Sequence, residues 1–468
     1  MSTLAPPPVP SPAGGPRLTA PSGIRRLFAA RDASFATHLD TFGPLPLEHA
    51  GPDLVADLQH AGLDGRGGAH FATWRKLGAA RAEQQGRRGP ASRGRHRAVV
   101  IANGAEGEPL SRKDATLLAH APHLVIDGLL LAAATVGASR AVLYTTSRLL
   151  PGVEAALRER GDASGVTLVE APETFLSGEA SAAVAAIEGR PAVPSDRVVR
   201  LTSSGVDGRP TLVQNVETLA QLALLARFGV DWFRSVGAPA EPGTRLVTVG
   251  GGDGRSPLAT AGSPGGAGRV LEVTGTMSLR RIVEAAGIDT SRLRAVLVGG
   301  FHGVWLPVEA LDLPFTREAL QPWGASPGAG IVWALSADRC GLAAAAEVTT
   351  YLAGQSARQC GPCLNGLPRL ADVLGRLARG DRAAWLPGEV TRLAGLVTGR
   401  GSCHHPDGTA RLVFSTLQVF ADDVQRHLEG RCLVGVRSTG VRSTGVTSTG
   451  VPSAPVPPTT PTGWEGRR

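Results

Sequence analysis

Cys360 and Cys363 lie in the run Gln355-Ser-Ala-Arg-Gln-Cys-Gly-Pro-Cys-Leu-Asn-Gly366, and Cys403 follows after 39 intervening residues. A Cys-x-x-Cys pair with a distant third thiol is how proteins hold iron–sulfur clusters. The same spacing also suits half of a zinc site or a redox dithiol, so spacing alone leaves three chemistries open. Cys340 and Cys432 complete an odd set of five. An odd count on a long chain argues against a disulfide framework.

A second chemistry-bearing stretch is Gly62-Leu-Asp-Gly-Arg-Gly-Gly-Ala-His-Phe-Ala-Thr-Trp-Arg-Lys76. Gly65, Gly67 and Gly68 allow close backbone approach to a ligand, and their amides can cradle phosphate oxygens. Arg66 and Lys76 add positive charge, and a helix beginning near Thr73 would add its N-terminal dipole. No Gly-Lys-Ser/Thr follows, so this is not a Walker A loop. Three more runs carry polar side chains in turn-like settings: Asn103-Gly-Ala-Glu106-Gly-Glu108-Pro109 with Lys113-Asp114, Gly178-Glu179-Ala180, and Gln214-Asn215-Val-Glu-Thr218. Taken singly, each admits a plainer reading: a flexible glycine loop, solvated turn carboxylates, or a capped helix start.

Composition narrows the classes. Net charge is +8, but only Lys76 and Lys113 among the 48 basic residues are lysine, and Ala, Gly and Pro abound. This is the signature of a GC-rich coding sequence, and no nucleic-acid motif accompanies it. Asn is equally rare, at 103, 215 and 365. Both lysines and all three asparagines fall inside the runs above, which marks them as residues kept against the drift. The most apolar stretch, from His123 to Ala138, contains Asp127 and is too short to span a bilayer. With no charged and apolar leader visible, a cytoplasmic location is the expectation.

These residues need positioning elements. From 45 to 240, strands and helices alternate. Arg97–Asn103, Ala141–Thr145 and Val166–Glu170 read as strands, with a long helix over 114–137 and another ending near Arg160. Such alternation predicts an α/β layer with a parallel sheet, and ligands collect at the carboxyl ends of its strands, where Asn103 would stand. From 243 to 330 the pattern is a small β-rich module with one main helix at 278–286. Beyond Cys340, helices are expected at 341–355, 366–379, 381–397 and 409–429. Short links favour an antiparallel bundle, which puts the first and third loops, and hence Cys360, Cys363 and Cys403, at one end. Residues 1–44 read as a disordered leader and lead-in. Residues 431–468 read as a disordered tail built on Val436-Arg-Ser-Thr-Gly440 repeats.

In this order the runs resemble the NADH-binding flavoprotein subunit of respiratory complex I. Arg66, Gly67, Gly68, Ala69, Phe71, Thr73 and Lys76 match that family's glycine-rich loop, with His70 replacing a glycine. The resemblance implies that this loop holds FMN and NADH, with Phe71 against the nicotinamide nucleotide and Lys76 near the phosphates. Asn103, Glu106, Glu108 and Pro109 match the loop lining the flavin, where Ala105 replaces an aspartate. Gly178 and Glu179 match a nucleotide contact whose second glutamate is Ala180 here; that carboxylate would disfavour a 2′-phosphate. Asn215 and Thr218 match the flavin signature Asn-Asn-Val-Glu-Thr-Leu, with Gln214 in place of the first Asn. Cys360, Cys363 and Cys403 match three of four cluster ligands, and Ala357 occupies the position of the first.

The resemblance implies an FMN/NADH-binding α/β domain over 45–240, an SLBB-like β-grasp module over 243–330 and an iron–sulfur four-helix bundle over 335–430. It implies a converter of two-electron into one-electron transfer: NAD(P)H to FMN, then a [4Fe–4S] or [3Fe–4S] cluster, then a partner. The expected acceptor is a ferredoxin-like protein or a membrane-bound reductase in a redox complex, with any membrane association through partner subunits. Two alternatives follow from the departures: a non-catalytic scaffold of the same fold, or the reverse flow from ferredoxin to NAD(P)+. For the fourth cluster ligand the candidates are His404 or His405, then Cys340, or an external thiolate or water.

Overall fold

The computed structural model describes residues 25–86, 97–196, 199–261 and 268–434. The proline-rich leader at 1–22 and the pentapeptide tail lie outside them. Strands β1 (Val99–Gly104), β2 (Arg140–Thr146), β3 (Val166–Ala171) and β4 (Thr211–Asn215) form a wholly parallel sheet in the order β3-β2-β1-β4. Side chains alternate across it, as the strand period requires. Val100 and Ala102 join the core beneath the large helices, while Val99 and Ile101 join a smaller core with Ala183 and Val184.

The helices of this region are α1 (Phe35–Phe42), α2 (Pro52–Ala61), α3 (Thr73–Gly86), α4 (Lys113–His120), α5 (Pro122–Val136), α6 (Leu150–Arg158), α7 (Ala180–Ile187) and α8 (Val216–Arg234). The long helix expected over 114–137 is two. Pro122 has no N–H to continue the α4 ladder, but its fixed φ suits the first position of a new helix. The chain turns by 97° there. Helix α5 crosses α8 at Gly128, where even a methyl group would lie 2.0 Å from the carbonyl oxygen of Leu219. Asp127, fully buried on the same helix, is paired with Arg160, Arg227 and His38. Among the described residues no single helix is long and apolar enough to cross a membrane.

A short hairpin of β5 (Gly237–Ala238) and β6 (Glu241–Pro242) leads into a second sheet. This contains β7 (Thr244–Gly251), β8 (Arg269–Thr274), β9 (Leu293–Val298), β10 (Val304–Pro307) and β11 (Ile331–Ser336), ordered β10-β9-β11-β7-β8. Only β11 and β7 run parallel. Short helices α9 (Pro257–Ala261), α10 (Leu279–Ala285) and α11 (Arg317–Leu320) accompany it. One face packs on α10 through Val247, Leu271 and Val296 against Ile282 and Val283. The other face gives Leu297, Trp305 and Trp333 to the C-terminal helices.

Those helices are α12 (Gly341–Gly354), α13 (Leu367–Ala378), α14 (Leu386–Val397), α15 (His405–Val419) and α16 (Ala421–Leu428). The single helix expected over 409–429 starts earlier and breaks at Phe420, which leaves helical geometry (φ −109°, ψ 34°). Its ring stacks edge-on against Trp305 at 5.3 Å and fills the space over Gly341.

Candidate functional site

The carboxyl ends of β1 and β4 bring Asn103 and Asn215 side by side as register partners. Asn103 donates from Nδ2 to the carbonyl of Gly178 at 2.8 Å, tying the sheet edge to the turn that opens α7. Gly178 lies so close to Ala105 that a side chain there would meet its carbonyl at 2.7 Å. Asn215 caps α8, accepting from the Glu217 N–H at 3.0 Å, and donates to Asp114 at 2.6 Å. Two of the sequence-predicted runs, Gly178–Glu179 and Asn215–Thr218, are therefore joined to β1 directly.

The 62–76 loop closes on itself through the Gly65 N–H to the Phe71 carbonyl, 2.9 Å, and leads into α3. Gly67 faces Asn215, where an added Cβ would be 3.3 Å from that side chain. Gly68 has φ +99°, a conformation suited to glycine. His70, at φ +49°, adopts a similar geometry with a bulky side chain. Burial, with help from Arg245, Arg66 and Arg317, pushes its pKa down to about 3, so the imidazole is neutral. Phe71 is 48% exposed. Lys76 is half-buried, donates to the Val213 carbonyl at 3.3 Å and lies 6.0 Å from the Phe71 ring. Burial lowers its pKa and the charge of Glu179 opposes that shift. Arg66 departs from expectation. Its guanidinium is turned into the protein, donating to the carbonyls of Thr244 and Pro242, while its N–H donates to Thr218 Oγ1 at 2.8 Å. It braces the loop and offers no side-chain charge outward.

The acidic residues are also engaged. Glu106 accepts from Ser111 Oγ at 2.6 Å and from the N–H groups of Asp114 and Ala115, so its carboxylate caps α4. Glu179 caps α7, accepting from the N–H groups of Ser181 and Ala182. Glu108 reaches the second sheet and accepts from the Phe301 N–H at 2.9 Å; burial pushes its pKa up to about 7. Three helix N-termini, of α4, α7 and α8, thus gather around the ends of β1 and β4, each with a side-chain cap.

Sequence reasoning left Lys113, Asp114 and Glu217 outside the chosen set, and the structure puts them beneath it. Lys113 is buried, 2.7 Å from Asp114 and 2.9 Å from Glu217, with Asn215 Oδ1 at 3.3 Å. Burial alone would lower its pKa, but the two carboxylates outweigh it and the net shift is upward. Burial holds Asp114 up at about 7 against the pull of Lys113. Glu217 then anchors β7 by accepting from the Leu246 N–H at 2.8 Å. Only two lysines survive in the chain, a usable clue to both. At the edge itself, Gln214 Nε2 and Thr73 Oγ1 are buried without a protein partner. Unpartnered polar atoms beside a glycine loop fit a phosphorylated, hydrogen-bonding cofactor such as FMN.

The cysteine loops come together at the far end of α12. Cys363, in a π-helical turn over Pro362–Gly366, is buried, as is Cys403. Burial pushes the Cys363 thiol up to about 11, and the charges of Cys360 and Cys403 act in the same sense. Burial would also raise Cys360, but N–H groups of Ser402 and Cys363 donate to its sulfur and the net shift is downward. Three thiols that repel one another when charged are a donor set suited to a cationic cluster.

The alternatives for a fourth ligand separate clearly. Cys340 is the N-cap of α12, at the other end of a 14-residue helix; at 1.5 Å per residue that is roughly 20 Å away. His405 is committed on both sides, with Nε2 to the Leu352 carbonyl at 2.8 Å and Nδ1 to His302 at 3.0 Å. His404 stays largely exposed beside Asp407. Between the two sites, Phe175 contacts the rings of His302 (4.8 Å), His405 (5.5 Å) and Tyr351 (6.1 Å), and its N–H donates to Gln355.

Residues 58–224 match the profile of the Nuo51 FMN-binding domain. Residues 343–427 match that of the NADH-ubiquinone oxidoreductase-F iron-sulfur binding region. The chain belongs to the F-subunit family of NADH-quinone oxidoreductases. The NADH-quinone oxidoreductase F protein of Streptomyces coelicolor is 28% identical over 406 residues, covering 82% of this chain and 85% of that one. Its Escherichia coli counterpart is 26% identical, covering 80% and 84%. HndC, a component of the NADP-reducing hydrogenase of Solidesulfovibrio fructosivorans, is 26% identical, covering 81% and 77%. Among solved structures, an NAD+-reducing [NiFe]-hydrogenase in the air-oxidised state superposes with a TM-score of 0.72 at 28% identity, covering 85% of this chain and 67% of that one.

Proposed function

We propose that the chain is an NAD(P)H-linked electron-transfer flavoprotein, carrying FMN over the joined ends of β1 and β4 and an iron–sulfur cluster on Cys360, Cys363 and Cys403. The observation that carries this is the convergence of Asn103, Asn215, the 62–76 loop and three helix N-termini on one sheet edge. Bound FMN supplies the exchange between a two-electron hydride donor and one-electron acceptors. The chain's residues bind and orient. The amides of Gly67 and Gly68, with Lys76, receive the phosphate, while Gly65 and Arg66 hold the loop in shape through their own amides; Asn103, Asn215 and Thr218 fix the ring and ribityl side. Glu106 holds the flavin-side loop by capping α4, and Phe71 presents an exposed apolar face to the nicotinamide. Gly178 and Glu179 border the nucleotide.

In this reading the second sheet is an SLBB-like β-grasp module and α12–α16 an elaborated four-helix bundle with its last helix broken. The chain works as one component of a redox complex, delivering electrons to a ferredoxin-like protein or a membrane-bound reductase. The test is the visible spectrum of purified chain reconstituted with FMN, with NADH:ferricyanide activity as the second readout. Retained flavin after desalting and NADH-dependent bleaching are expected. A chain that releases all added FMN and carries no iron would be a scaffold of this fold.

A further inference from the structure

Cys340 and Cys432 lie outside the motif cysteines, yet the fold draws them together with a histidine. Cys340 is the N-cap of α12, His427 is in the last turn of α16, and Cys432 follows five residues later in the chain's exit from the helices. One ligand atom from each lies within 4.8 Å of the other two. Cys340 and His427 are each 4% exposed, and Cys432 is half-buried. The orientation of the imidazole is fixed. His427 Nδ1 lies 3.1 Å from the Leu377 carbonyl, which can only accept, so Nδ1 carries the hydrogen. That leaves Nε2 with its lone pair facing the sulfur of Cys340 at 3.5 Å. A ring held in this tautomer by a backbone carbonyl is the arrangement that prepares a histidine to bind a metal.

We propose that Cys340, His427 and Cys432 form a zinc site, separate from the Cys360–Cys363–Cys403 set at the other end of α12. Two thiolates and one neutral imidazole select a thiophilic, borderline-soft divalent ion over magnesium or calcium. Their two negative charges balance the ion, so no uncompensated charge is buried. Water completes the tetrahedron on the side where Cys432 reaches the surface. The ion would fasten the start of α12, the end of α16 and the departing chain at one point.

The test uses full-length chain purified under reducing conditions, stripped with chelator and titrated with cobalt, whose thiolate charge-transfer band reports sulfur ligation. Four preparations are compared: the unaltered chain, Cys360→Ser/Cys363→Ser, Cys432→Ser and His427→Gln. The first two should give the band, and bound cobalt should be displaced by zinc. Cys432→Ser should lose affinity by more than the roughly 10–100-fold that removing a ligand's hydrogen-bond partner costs. His427→Gln should do the same with less disturbance of a buried sulfur, guarding against a folding defect in one variant. A band that disappears with Cys360 and Cys363 but survives both Cys432→Ser and His427→Gln would overturn the site. So would a Cys340–Cys432 disulfide that persists under mild reductant with no bound metal.

Discussion

Asn215 donates from Nδ2 to the main-chain carbonyl of Asn103, its register partner on the neighbouring parallel strand, at 3.4 Å. The same amide group reaches Asp114, and the same side chain caps α8. One residue therefore fixes two strand ends, a helix start and the buried Lys113 network. Asn215→Ala should cost about 1–2 kcal/mol, from the lost cap and the stranded Asp114 oxygen. Thermal melting and the flavin-to-protein ratio after desalting are the measurements. Unchanged melting with full flavin retention would show the edge to be held otherwise.

Lys76 sits half-buried at the end of the 62–76 loop. Lys76→Ala should weaken FMN retention while leaving the melting temperature of the flavin-free chain nearly unchanged, since its protein bond to Val213 is long. Equilibrium dialysis with FMN checks this. Equal affinity in the two proteins would remove Lys76 from the binding set.

Glu108 gives a pH prediction. Its pKa is raised to about 7 by burial, against roughly 4.3 in an unfolded chain. A raised folded pKa means that the native state binds the extra proton, so its contribution is fully present below about pH 4 and is lost as pH rises towards 7. Glu272 and Asp114 are raised to about 7 mainly by burial, and act in the same direction. Glu108→Gln keeps an acceptor for the Phe301 N–H and removes the titration. It should raise the melting temperature at pH 8 by roughly 2–4 °C per kcal/mol recovered, with a smaller effect at pH 5. A variant equally affected at both values would contradict the assignment.

Ala357 stands half-buried at the position that the resemblance assigns to the first cluster cysteine. Ala357→Cys should increase iron and sulfide after anaerobic reconstitution and shift the EPR from a three-iron towards a four-iron signature. Cys403→Ser should abolish the cluster and leave flavin binding intact. Equal iron content in all three proteins would remove Cys403 from the ligand set.

Ala180 is the first residue of α7, directly after the capping Glu179. A glutamate there is favourable at a helix N-terminus, so Ala180→Glu should fold normally. It should raise the NADH/NADPH ratio of kcat/KM by adding a carboxylate against a 2′-phosphate. An unchanged ratio would show that the nucleotide ribose does not approach this turn.

The alternating pattern of short apolar strands and helices made the parallel sheet legible, because β1 and β2 are buried on both faces and read as continuous apolar runs. The helix breaks were less legible. Pro122 was visible, but the apolar run on both sides masked it. Phe420 breaks α15 from α16 through a tertiary contact with Trp305 and Gly341 that no local signal announces. Among the site residues, chain order could mark Arg66 and Glu106 as belonging to the loops. It could not tell that one turns its charge inwards and the other caps α4, because orientation depends on partners more than a hundred residues away or on the next helix. The two histidines after Cys403 differ for the same reason: His405 is claimed by Leu352 and His302, and His404 is not.

The crossing at Gly128 has a consequence for how this protein can change. Helix α8 starts at the Asn215 cap and rests, one turn later, against α5 at a point where no side chain fits. Any replacement at 128 would lever α8 off its seat and drag its cap out of line with β1. A residue with no functional atom thus sets the spacing on which the ligand-facing edge depends.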